Sequence, residues 1–247
     1  MCLLKPILSF NFKLIIRESN DPDQIVKNHS YSKILNFLYK VFYPKANRII
    51  LPAKYLKKRF QKYSIPNSKI KVIYNPVFKN INFKSNYKKK YYSAIGRLTY
   101  QKGFDNLIKI VNNSNIKRLL IIGNGIEKKN LIRLANSKKI KFIKETNPKK
   151  YILKSKALIF SSRWEGMPNI LLESLSYGTK IISLSKIDSI LELNQMVKKN
   201  SIYFVDKSNF NNFINKFSKY EKYKNKNLLP KEFQINFAIK KYQRALY

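Results

Sequence analysis

The segment from Ala157 to Leu184 constrains the fold of this chain more than any other. An apolar run, Ala157-Leu-Ile-Phe160, leads into the loop Ser162-Arg-Trp-Glu165-Gly-Met-Pro168. A leucine-bearing stretch, Gly178 and a second apolar run, Lys180-Ile-Ile-Ser-Leu184, follow. The pattern reads strand, loop, helix, stop, strand, and predicts two parallel strands joined by a helix. Pro168 suits the first helical turn, where its missing N–H costs nothing, and Gly178 suits the left-handed cap after the last turn. On a helical wheel Leu171, Leu172 and Leu175 share one face while Glu173 points roughly the other way. The leucines then pack against a sheet, Glu173 faces outward, and Glu165 stands in the loop at the helix start. Free backbone N–H groups and a positive dipole end at that start favour a phosphate.

The same alternation runs back to Tyr91. Tyr92-Ser-Ala-Ile95 reads as a strand, Phe104, Leu107, Ile108 and Val111 follow helical spacing, and Arg118-Leu-Leu-Ile-Ile122 reads as a buried strand. Leu131, Leu134 and Ala135 mark a helix, and Ile140 to Ile143 another strand. A doubly wound parallel sheet is the expected architecture, with its ligand crevice at the carboxyl ends of the strands. One loop on that edge carries chemistry: Ser93-Ala-Ile-Gly96-Arg97-Leu-Thr-Tyr-Gln-Lys102-Gly103-Phe104. Arg97 and Lys102 could neutralise a diphosphate there, with Gly96 letting the backbone approach closely. Taken alone, they read rather as two surface cations in a chain with 51 Lys and Arg residues; the Glu165–Glu173 segment downstream turns the balance to the diphosphate.

Glu165-x7-Glu173, set in Glu165-Gly166-Met167-Pro168-Asn169 and closed by Gly178, resembles the signature of glycosyltransferase family 4, retaining sugar-nucleotide transferases of the GT-B fold. The Gly96–Lys102 loop resembles the family's diphosphate-holding loop. The resemblance implies an α/β protein with a complete C-terminal Rossmann-like domain over residues 79–230 and a partial N-terminal, acceptor-side domain over 1–78. A helix over 231–247 would cross back to the first domain. It implies transfer of a sugar from a UDP-, GDP- or similar nucleotide donor to a glycan or lipid-linked acceptor, with retention, in cell-surface polysaccharide or lipopolysaccharide synthesis. Donor-binding residues would be Gly96, Arg97, Lys102, Gly166, Met167, Pro168, Asn169 and Glu173. Glu173 would accept ribose hydroxyls, and Glu165 would be the catalytic-site carboxylate on the transferred sugar. No cofactor beyond the donor is implied, and no metal. Arg17, Glu18 and Asn20, at the end of an earlier strand, become acceptor-side candidates, with a solvated strand end as the alternative.

Full-length members carry further N-terminal strands and a Gly-rich loop that nothing here matches. The expected half-domain would expose a sheet edge. A truncated gene model, a decayed remnant, or a subunit completed by a partner chain would each account for it. Within the first unit, Lys13 to Ile16, Arg48 to Leu51 and Lys71 to Tyr74 read as strands, Tyr31 to Val41 and Ala53 to Tyr63 as helices, and 79–90 as a linker.

Charge and composition bound the alternatives. The 247 residues carry 51 Lys and Arg against 13 Asp and Glu, a formal net charge of +38. Nucleic-acid binding, contact with an anionic membrane surface, and the lysine-rich drift of an adenine- and thymine-rich genome all yield such a balance. The lysines are scattered and no nucleic-acid motif accompanies them. An inactive or partner-dependent nucleotide-sugar module is a further reading that shares the same residues. One cysteine, Cys2, and one histidine, His29, leave no multi-residue Cys or His metal site, and the cysteine usage fits a reducing cytoplasm. The expected location is cytoplasmic, with peripheral contact at the inner membrane's cytoplasmic face. Asp21-Pro-Asp23 matches a metal-binding D-x-D pattern but reads as an ordinary turn. Gly123-Asn-Gly125 is a tight turn that could border the crevice, and Trp164 is a rim or core aromatic as readily as a sugar-stacking one. Lys156 and Ile143-Lys144 depart from the family pattern.

Overall fold

The computed structural model describes residues 12–28, 30–77, 87–136, 138–144, 147–220 and 226–246. Cys2, His29, the apolar opening and most of the 79–90 linker lie outside the described residues. The first unit runs β1 (Ile15–Arg17), α1 (Pro22–Asn28), α2 (Ser32–Phe42), β2 (Arg48–Leu51), α3 (Leu56–Gln61) and β3 (Ile70–Val72). Its strands pair in parallel in the order β1-β2-β3. The second unit runs β4 (Tyr91–Ile95), α4 (Phe104–Asn112), β5 (Leu119–Ile122), α5 (Lys128–Leu134), β6 (Ile140–Ile143), α6 (Lys149–Leu153), β7 (Ser155–Phe160) and α7 (Asn169–Ser176). It continues through β8 (Ile181–Ser183), α8 (Asp188–Met196), β9 (Ile202–Phe204) and α9 (Phe210–Tyr220), and α10 (Ile235–Leu246) closes the chain. Its six strands are all parallel, in the order β6-β5-β4-β7-β8-β9. That order reverses between β4 and β7, so the crevice of this doubly wound sheet opens where those two strands end.

Strand alternation explains how both sheets are covered. In β2, Ile49 and Leu51 face one cluster while Ile50 faces another, formed with Ala238, Ala245 and Tyr242 of α10. The closing helix therefore packs on the first sheet. In β7, Ala157 and Ile159 join Phe104, Leu107, Ile108 and Val111 of α4, whereas Leu158 and Phe160 join Leu171, Leu172 and Leu175 of α7. The last cluster does not stop at the second sheet. It runs on through Met167 to Leu51, Phe60 and Tyr63 of the first unit, one apolar body shared by both.

Helix α7 ends as the glycine foretold. Gly178 sits at φ 76°, its N–H donates to the Leu175 carbonyl, and the Thr179 N–H donates to that of Ser174. These are the two bonds of a Schellman cap. At the other end Pro168 stands one place earlier than expected. It is the extended N-cap (ψ 111°) rather than a first-turn residue, and its carbonyl accepts from Leu171. Among the described residues, no helix is long and apolar enough to cross a membrane.

Candidate active site

Two crevices adjoin at the carboxyl ends of β4 and β7. One, of about 480 Å³, is lined by Arg17, Ser19, Asn20 and Asn75 from the first unit and by Gly96, Arg97, Lys102, Glu165–Ile170 and Glu173 from the second. The other, of about 560 Å³, is lined by Ile122, Gly123, Asn124 and Lys144 and shares Ile95, Gly96, Arg97 and Pro148 with the first. The two loops singled out in the sequence thus face one space, and the Gly123-Asn124 turn borders it.

Contact between those loops is direct. Lys102 Nζ lies 2.5 Å from Glu165 Oε1, and both side chains are largely buried. The Ser162 hydroxyl donates to the same oxygen at 2.9 Å. A strap of bonds holds this register. The Arg163 guanidinium forks onto Asp105 at 2.9 and 2.7 Å, donates to the Tyr100 carbonyl, and lies 3.9 Å above the Tyr100 ring. Burial acts to raise the Asp105 carboxyl, but the Arg163 bonds and charge outweigh it and hold the group below the usual carboxylate range. The Arg163 N–H donates to the Gln101 carbonyl, Gln101 Nε2 to the Trp164 carbonyl, and the Ser161 hydroxyl to the Lys102 carbonyl. Gly103 has φ 62°, and a Cβ there would strike the Ser161 carbonyl, so only glycine lets the loops meet this closely. Trp164 packs against Tyr100 with ring centroids 6.0 Å apart.

On the donor side of the crevice, Arg97 and Glu173 stand without a partner among the described residues. Arg97 is exposed and pairs with no acid among the described residues. Glu173 is half-buried at the crevice wall rather than fully outward, and no donor among the described residues reaches its carboxylate. Burial alone pushes its pKa up. A cation and a desolvated acceptor lining one crevice suit a ligand carrying both negative charge and hydroxyls.

The first unit supplies the facing wall and fastens the Glu165 loop. Tyr55 donates its hydroxyl to the carbonyls of Glu165 and Gly166, at 2.7 and 3.1 Å. Burial first, then the charges of Asp21, Asp188 and Glu192, push its pKa well above the usual tyrosine range, so it stays a donor. Tyr55 is itself held by Glu192 of α8, whose carboxylate accepts the Lys54 and Tyr55 N–H groups and the Tyr74 hydroxyl. Asn75 donates to Asn169 Oδ1 at 2.7 Å and accepts from Arg17 Nη2 at 2.6 Å. Gly166 touches this wall: a Cβ on it would collide with the Ser19 carbonyl. Gly166→Val should therefore destabilise the protein by about 1–3 kcal/mol through overpacking. Chemical denaturation checks this, and an unchanged midpoint would show that the two units are not held in this contact.

Of the residues named from sequence, Arg17, Asn20, Gly96, Arg97, Lys102, Glu165, Gly166, Met167, Pro168, Asn169 and Glu173 all line the first crevice. Glu18 does not. Successive strand residues point to opposite faces, and its carboxylate turns inward to accept from the Tyr43 hydroxyl at 2.7 Å and from the Ser19 and Asn20 N–H groups. Asp21 and Asp23 are likewise occupied: Asp21 accepts the Asp23 N–H, and both pair with Arg59. The sequence reading missed Tyr55, Asn75, Asp105, Arg163 and Ser162. Only Arg163 and Ser162, beside Glu165, and Asp105, two places past Gly103, carried a local hint.

Comparison with known proteins agrees with this architecture. Residues 78–233 match the family described as glycosyl transferases group 1, and residues 21–78 match glycosyltransferase family 4. An uncharacterized glycosyltransferase of Methanocaldococcus jannaschii is 32% identical over 203 residues, 71% of this chain and 49% of that protein. A Campylobacter jejuni protein, N-acetylgalactosamine-N,N'-diacetylbacillosaminyl-diphospho-undecaprenol 4-alpha-N-acetylgalactosaminyltransferase, is 29% identical over 185 residues, 69% of this chain and 50% of its own. The chain spans about half the length of these relatives. Anabaena Alr3699/HepE, solved with UDP-glucose, superposes with a TM-score of 0.70 at 15% identity, covering 99% of this chain and 74% of its own. With its parallel sheets, its crevice between two units and matches over both of them, this chain belongs to the group 1 glycosyl transferases, family 4, and has the GT-B type of fold.

Proposed function

We propose that this chain transfers a sugar from a nucleoside-diphosphate donor to a glycan or lipid-linked acceptor. The observation that carries the reading is that Arg97 and Glu173, both without a partner among the described residues, line one crevice with the Lys102–Glu165 pair at the switch point. A nucleoside diphosphate fits that pattern: its phosphates take the cations and its ribose hydroxyls donate to Glu173.

In the reaction, the bond between the anomeric carbon and the diphosphate breaks, and negative charge grows on the departing phosphate. Arg97 and the N–H groups at the start of α7 stabilise that charge with donors already in place, and Lys102 joins them. Lys102 moves from Glu165 toward the phosphate, and Glu165 then accepts hydroxyls of the transferred sugar and orients it. The acceptor enters along the wall formed by Arg17, Asn20 and Asn75. Retention at the anomeric carbon belongs to the reading through the family resemblance, and the anomeric configuration of the product tests it. A lipid-linked acceptor is supported by the diphospho-undecaprenol-linked substrate in the Campylobacter relative's name.

Isothermal calorimetry tests the reading most simply. UDP or GDP should bind one site per chain, and a single-stranded DNA oligonucleotide should bind with no fixed stoichiometry and vanish at high salt. Tight, saturable oligonucleotide binding with no nucleoside diphosphate binding would replace the transferase with a nucleic-acid-binding protein.

A further inference from the structure

Arg17 is a cation that the donor side does not need. It ends β1 in the first sheet and lines the crevice, whereas the cations assigned to the donor diphosphate, Arg97 and Lys102, both come from the second. Its guanidinium is anchored by two neutral groups: Nε donates to the Tyr242 hydroxyl at 2.9 Å and Nη2 to Asn75 Oδ1 at 2.6 Å. The adjacent acid, Glu18, is committed elsewhere, to Tyr43, Tyr39 and two backbone N–H groups. Among the described residues no carboxylate pairs with Arg17. Asn75 ties the same guanidinium to the donor side through Asn169 and the Met167 carbonyl. The outcome is a fixed planar cation with Nη1 uncommitted, at the wall where the second substrate enters.

We infer that Arg17 is the anion-binding group of the acceptor subsite, and that the acceptor carries a phosphate or carboxylate close to the hydroxyl that receives the sugar. A guanidinium held by neutral partners keeps its full charge for a ligand, and its fork matches either oxyanion. The inference rests on the transferase reading and narrows its acceptor to an acidic one.

Calorimetry on the full chain saturated with UDP or GDP, whichever binds, tests it. The probes are geranyl diphosphate and methyl glucuronide, each against its neutral counterpart, geraniol and methyl glucoside. At least one anionic probe should bind tenfold or more tighter than its neutral partner, and which one does identifies the anion as a prenyl phosphate or a sugar carboxylate. Arg17→Gln should abolish that preference while leaving nucleoside diphosphate affinity within threefold, and Arg17→Lys should keep part of it. Tyr242→Phe, which removes one anchor and keeps the charge, should give an intermediate loss. Equal binding of charged and neutral probes would overturn the inference, as would an unchanged preference in Arg17→Gln. A tenfold fall in nucleoside diphosphate affinity in that variant would instead assign Arg17 to the donor. If no nucleoside diphosphate binds the unaltered chain, the transferase reading itself fails, a distinct result.

Discussion

Lys102→Ala will lower sugar transfer by about 10²–10³-fold, the usual loss when one preorganised donor to a developing oxyanion is removed. The lysine reaches Glu165 across the switch point by running its stem over Gly96, where a Cβ would lie only 3.2 Å from Lys102 Cε. Truncating it removes the charge proposed to meet the departing phosphate and leaves the Glu165 carboxylate with Ser162 as its remaining side-chain donor among the described residues. A stability loss of about 1–3 kcal/mol should accompany the change, because a largely buried carboxylate loses its cation. The two effects separate in a double variant. Lys102→Ala with Glu165→Gln should regain most of the stability and none of the transfer. Steady-state rates and denaturant titrations measure both. Transfer within tenfold of the unaltered protein, or a nucleoside diphosphate affinity unmoved by the change, would remove Lys102 from the donor site.

Glu173→Gln should make the protein more stable and its donor binding weaker. The carboxyl is half-buried with no protein donor, so burial raises its folded pKa above that of the unfolded chain. The sign follows from linkage. A raised folded value means that folding binds the proton more tightly than the unfolded chain does. The stability this proton lends is full below the unfolded pKa and lost as pH rises through the folded one. At neutral pH the ionised glutamate therefore costs stability, and the neutral amide relieves that cost. The melting temperature of Glu173→Gln should exceed that of the unaltered protein at pH 7, with the gap closing as the medium is acidified below the glutamate range. Binding runs the other way. In the proposed site ribose hydroxyls would donate to the ionised form, a charge-assisted bond of about 1.5–3 kcal/mol, so affinity for the nucleoside diphosphate should fall about 10–100-fold. A 2′-deoxy analogue should bind both proteins more nearly alike. A variant that melts earlier at pH 7, or that loses no ribonucleotide affinity, would contradict the assignment.

The contiguous parts of this site are legible in the sequence because local rules write them. Gly178 announces the end of α7 through its backbone freedom, and the leucine spacing orients Glu173. The Gly96-to-Gly103 loop sets two cations between a strand and a helix, and reads as a site only together with the Glu165–Glu173 segment. What joins the loops is another matter. Arg163 meets Asp105 from 58 positions away, and Tyr55 meets the Glu165 carbonyl from 110. No window of sequence contains either pair; only the sheet order brings them together. Glu18 shows the opposite failure, since it sits beside Arg17 in the chain yet faces the other side of β1. Elements were lost for similar reasons. Strand β9 has three residues, and α8 mixes Asn and Gln among its apolar positions, so neither imposes a clear period. Asp21-Pro22 signals a turn and a helix start alike; in the structure the Asp21 side chain caps the helix it begins.

The apolar body that threads from α7 through Met167 to Phe60 and Tyr63 has a mechanical meaning. Swinging the lobes wide would strip that greasy seam and set it against solvent. On the transferase reading, substrates would enter along the mouth while the halves rock rather than part. Heated in a scanning calorimeter, the molecule should melt in a single endotherm, for neither lobe can let go without baring the other.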